Sequence, residues 1–81
     1  MPTVLRIGAL RVAVYPNDHR RHHVHIIGQG CEAVFTLNVP VGSIALPENY
    51  GFPSGDLVRI QDALEENLAA LLSAWESIHG A

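Results

Sequence analysis

Apolar residues fall on every second position near the start of the chain and on every third or fourth position near its end. Residues 3–7 and 10–15 are rich in β-branched side chains, and Gly8-Ala9 between them is short enough for a hairpin turn. In the second run Leu10, Val12 and Val14 share one face while Arg11, Ala13 and Tyr15 share the other, which predicts a half-buried strand. Pro16-Asn17-Asp18 ends that pattern with turn formers. A third strand is expected from about His23, and Gly28-Gln29-Gly30 turns it back into a fourth over residues 31–37. From Asn38 to Phe52 the chain carries Pro40, Gly42, Pro47 and Gly51 with little periodicity. That stretch reads as the crossover from sheet to helix, with room for one short helical turn over residues 46–50.

The last third has the strongest period. Leu57, Ile60, Leu64, Leu68, Leu71, Trp75 and Ile78 form one apolar stripe, with Asp62, Glu65, Glu66, Ser73 and Glu76 mainly on the other side. Ser54 suits the start and Gly80 a left-handed stop. A helix of this length spans about 35 Å, so it would cross a four-stranded sheet and overhang it, with a kink near Asn67 as one way to accommodate the excess. The expected architecture is α+β, an antiparallel four-stranded meander with one long C-terminal helix packed across one face (β-β-β-β-α). Residues 1–81 form one domain.

Composition adds a partner to this picture. The chain of 81 residues is 48% hydrophobic and 16% charged, more apolar surface than a small monomer easily hides. A homodimer or hetero-oligomer is therefore expected, with Trp75, Leu71 and Ile78 at the interface. All five basic side chains are arginine and the formal charge is −3, which argues against a generally basic nucleic-acid binder. The single Cys31 excludes an internal disulfide. The opening residues lack a signal-peptide core and no apolar run approaches the roughly 20 residues of a membrane span. A cytoplasmic protein with no membrane partner is expected.

Candidate chemistry is concentrated in Asp18-His19-Arg20-Arg21-His22-His23-Val24-His25, which holds four of the five histidines. If Val24 and Ile26 face a core, the strand period puts His23 and His25 on the opposite face, roughly 6–7 Å apart at Cα. Three readings follow. In the first, the segment is a metal-independent ribonuclease site: His19, His23 and His25 supply the base and the acid, Arg20 or Arg21 holds the phosphate, and Tyr15 touches the site from the preceding strand. In the second, His23 and His25 bind a metal ion with His19 or Asp18. The ligand set lacks a clear fourth partner, so no metal and no cofactor is expected. In the third, the segment binds an acidic partner surface through Arg20 and Arg21 without chemistry. Cys31, Glu65 and Glu66 carry no sign of catalysis.

The N-D-H-x-x-x-H-V-H pattern after an opening strand, with Met1-Pro2-Thr3-Val4, Tyr15, Gly51-Phe52, Asn67 and Trp75, resembles the domain of unknown function 4160. The resemblance covers nearly the whole chain. It implies the toxin half of a type II toxin–antitoxin pair, partnered by a small acidic antitoxin of the domain of unknown function 2442; RNA as the favoured target comes from the histidine segment, not from the resemblance. Two prolines usually precede His-Val-His in that family, where this chain has Arg21 and His22. The alternative is a noncatalytic protein-binding module, antitoxin-like or regulatory, or a histidine-based metal-binding protein.

Overall fold

The described residues up to Tyr50 form a meander of strands, and most of those after it form helices. A computed structural model gives the fold, and the residues described are 3–17, 22–38 and 43–80. In chain order these form β1 (Thr3–Ile7), β2 (Leu10–Ala13), β3 (His23–Gly28), β4 (Cys31–Asn38), β5 (Ser43–Tyr50), α1 (Ser54–Glu66) and α2 (Leu68–His79). Each strand pairs antiparallel with the next, so the sheet order is β1-β2-β3-β4-β5. The α+β class is as the periodicity predicts. Two details differ: among the described residues the sheet has five strands where four are expected, and two helices replace one.

The fifth strand comes from the stretch that reads as a crossover. Its pairing with β4 slips between Val34↔Glu48 and Thr36↔Ala45, so that Leu46 and Pro47 lie in a bulge. A bulge breaks the two-residue period that would announce a strand, and an edge strand tolerates proline. The Asn49 side chain then brackets Phe52, accepting from its N–H at 3.1 Å and donating to its carbonyl at 3.1 Å. That bracket turns the edge strand into α1.

The helix break falls at Asn67. Its Nδ2 donates to the Ala63 carbonyl at 2.8 Å and its backbone N–H to Leu64 at 3.2 Å, which closes α1. Its own carbonyl accepts from Leu71 N–H at 2.9 Å and so begins α2. The apolar stripe survives because the steps from Leu64 to Leu68 and Leu71 still fall on one side. The Gly80 stop is present, with φ 73°.

The core lies between the helices and one face of the sheet. Leu10, Val12, Val24, Ile26, Phe35 and Leu37 meet Ile60, Leu64, Leu71 and Trp75 there. Each such side chain contributes about 1.5–3 kcal/mol on burial. The fifth strand widens the sheet, and Leu71 and Trp75 are covered by the chain itself, at 1% and 5% exposure, while Ile78 is half-buried against the same core. Little of Leu71 or Trp75 remains for a partner's surface. Among the described residues no helix is long and apolar enough to cross a membrane.

The β3–β4 turn is tight: Gly28 pairs with Cys31, leaving only Gln29 and Gly30 in the loop, at φ 54° and 75°. Positive φ at both positions is what a type I′ turn requires, and Asn is the side chain that accepts it best at the first. Gln29→Asn is therefore expected to stabilise the fold by about 0.5–1 kcal/mol. Urea unfolding at neutral pH checks this, and a lowered midpoint would refute it.

Candidate functional site

Alternation along β2, β3 and β4 sends a second set of side chains away from the helices. Ala13, His25, Val34 and Glu48 lie opposite one another across four strands. One residue pair along, Arg11, Ile27, Glu32 and Tyr50 form the neighbouring row. Val24 and Ile26 are fully buried on the core side, so His23 and His25 do share the opposite face, as the strand period predicts.

His25 is the centre of this face. Ala13 and Val34 beside it are small, which leaves room for Tyr15 to lie flat on the imidazole, with ring centroids 3.7 Å apart and planes 1° from parallel. His25 Nδ1 lies 3.1 Å from Glu32 Oε2, and the Tyr15 hydroxyl donates to the same oxygen at 3.3 Å. A carboxylate only accepts, so the Nδ1 hydrogen points to Glu32 and the tautomer is set. His25 is 5% exposed. His23 is half-buried, with Nε2 3.4 Å from Thr36 Oγ1, the residue opposite it in register.

Tyr15 titrates abnormally because of these neighbours. Burial raises its pKa above 10.0, the negative charge and hydrogen bond of Glu32 raise it further, and Arg11 opposes them. The folded chain thus holds this proton more tightly than the unfolded chain. The associated stability is complete below about pH 10, where both states are protonated, and is lost as pH rises through the folded value. Tyr15→Phe is expected to flatten the alkaline fall of stability. Urea midpoints measured from about pH 9 upward test it, and parallel curves for the two proteins would count against it.

His22 departs from its neighbours. It sits in a turn at φ 57°, its carbonyl accepts from Leu37 N–H at 3.0 Å, and its ring meets Trp75 edge-on at 4.9 Å. It therefore belongs to the helix side, not to the face of His23 and His25. Asp18, His19, Arg20 and Arg21 lie outside the described residues. Among those described, no group of three or more histidine, cysteine, aspartate or glutamate side chains is placed to hold a metal ion.

The sequence offers Asp18 as the carboxylate beside the histidines, whereas the structure puts Glu32 there for His25. The signal was present in the length of the turn: two loop residues after Gly28 put Glu32 opposite Ile27, diagonal to His25. Arg11 was visible too, on the Tyr15 face of β2, and Arg6 lies directly across from it.

A family model described as Domain of unknown function (DUF4160) matches residues 10–76. That span takes in Tyr15, His23, His25 and Glu32. Neither a curated protein nor a solved structure matches the chain.

Proposed function

The chain belongs to the DUF4160 family, and on that footing we propose that it is the toxin of a type II toxin–antitoxin pair and cleaves RNA at the sheet face of His23 and His25. One observation carries the reading: a histidine whose Nδ1 is held by a carboxylate and whose ring plane is fixed by a stacked tyrosine. That is how a protein prepares an imidazole for proton transfer, because the carboxylate sets the tautomer and favours the imidazolium as it forms.

His25 Nε2 takes the proton of a ribose 2′-hydroxyl. The 2′-oxygen attacks the adjacent phosphorus, the bond from phosphorus to the 5′-oxygen breaks, and His23 protonates the departing oxygen. The products are a 2′,3′-cyclic phosphate and a 5′-hydroxyl. His19 is a further proton carrier and Arg20 or Arg21 a phosphate ligand from the preceding segment. Imidazoles fill both proton roles, so activity is expected to withstand chelation. The partner is a small acidic antitoxin, and the site of action is the cytoplasm.

A second reading rests on the 5% exposure of His25. A ring so covered also serves as a pin that rigidifies the sheet, which suits a noncatalytic module that binds its partner. Expression of the chain in a bacterial host, with RNA cleavage by the purified protein, separates the two. Growth arrest and cyclic-phosphate ends, both lost in His23→Ala and in His25→Ala proteins that remain folded, support the ribonuclease. Toxicity retained in the double variant rules out catalysis by this pair and leaves the binding module.

A further inference from the structure

Two arginines face each other on the same side of the sheet as His25. Arg6 on β1 and Arg11 on β2 are direct cross-strand partners, and Arg11 shares its face with Ala13. Like charges set directly opposite disfavour pairing of the strands. Neither guanidinium has a hydrogen bond or an acidic partner among the described residues. Nearby acids are engaged elsewhere: Glu32 receives His25 and Tyr15, while Asp56 is paired with Arg59.

We propose that Arg6 and Arg11 together bind a phosphate of a single-stranded RNA backbone and fix the strand's position beside His25. The proposal rests on the ribonuclease reading for its choice of ligand. An anion between the two forks offsets the repulsion between the like charges, and each guanidinium offers a planar fork matched to phosphate oxygens. Position favours a backbone. Arg11 is a diagonal neighbour of His25 across the β2–β3 pair, roughly 7–8 Å away at Cα, so anion and imidazole sites follow one another along a single face. The charge distribution favours it as well. The helices carry exposed Asp62, Glu65, Glu66 and Glu76 against the one exposed Arg59, whereas the sheet face balances Arg6 and Arg11 against Glu32 and Glu48, so a polyanion is repelled less from the sheet.

The test separates binding from cleavage. A short fluorescent RNA, 2′-O-methylated so that it cannot be cut through its 2′-hydroxyl, is titrated with the full chain and followed by anisotropy over a series of salt concentrations. Arg6→Gln and Arg11→Gln are each expected to weaken binding roughly 10-fold and to reduce the slope of log affinity against log salt by about 0.7, the value for one lost single-strand phosphate contact. Arg11→Lys keeps the charge and is expected to keep the slope while losing affinity, because the fork is gone. Circular dichroism confirms that each variant is folded. Arginine-dependent binding without cleavage of ordinary RNA would sustain this site and sink the ribonuclease. Cleavage with unchanged affinity in both Gln variants would do the reverse. Loss of binding to the acidic partner protein, with no RNA affinity to lose, would make the pair a protein contact and overturn the proposal.

Discussion

Trp75→Ala is expected to destabilise the chain by about 3–5 kcal/mol, the usual range for deleting a buried tryptophan. Trp75 is 5% exposed within the core cluster, and its indole lies between two imidazoles, stacked on His79 at 4.1 Å and edge-on to His22 at 4.9 Å. It therefore joins the last turns of α2 to the turn that launches β3. A single domain of this size has about 5–15 kcal/mol of stability in all, so the loss amounts to a large part of it. Volume is the expected cause. The Trp75 Nε1–H is buried without an acceptor among the described residues, so the polar handle adds nothing that phenylalanine would lack. Trp75→Phe should accordingly cost less than about 1.5 kcal/mol. Urea unfolding of the two variants measures both, and equal losses would show that the indole nitrogen matters and that the cavity account is wrong.

On the proposed ribonuclease reading, His25→Ala is expected to reduce RNA cleavage by about 10²–10⁴, the range that a positioned proton carrier supplies. Glu32→Gln should act through the same ring. The amide still accepts from Nδ1–H but carries no charge to favour the imidazolium, so a loss of about 10-fold to 100-fold is expected, by analogy with groups that orient a catalytic or metal-bound histidine. Both variants also remove part of a packed network. Thermal midpoints therefore accompany the rates: a rate that falls only as far as the folded fraction falls would mark the network as structural. If Glu32→Gln lowers the rate while the midpoint holds, the carboxylate acts on the reaction. The two substitutions share one mechanism, so the double variant should be little worse than His25→Ala alone.

Much of this was legible before the fold was known. The first four strands follow from alternation, and the shared face of His23 and His25 follows from the strand period alone. The fifth strand was hidden by physics that sequence patterns do not carry. The bulge at Leu46 and Pro47 shifts the period by one, and proline reads as a breaker unless its strand is known to be an edge. Asn67 divided the helix without interrupting its stripe, since its side chain and carbonyl supply the contacts that end one helix and start the next. In the site, Glu32 required a register, and a register requires the turn type. His22 was the least legible, because a positive φ turns its ring toward Trp75 while the adjacent residue faces the other way.

The placement of the helices also bears on how the protein is made. α1 lies toward β5, whereas α2 reaches across to β1, so the segment synthesised late meets the strand synthesised first. Hairpins between neighbouring strands can assemble as they leave the ribosome, and α1 covers part of their apolar face, but the part that Leu71 and Trp75 cover stays exposed until α2 has emerged. Contacts between such distant parts of a chain slow the final step of folding, and an uncovered sheet is prone to associate with others like it. A ribosome paused before Leu68 would hold a nascent chain whose sheet lacks the cover of Leu71 and Trp75.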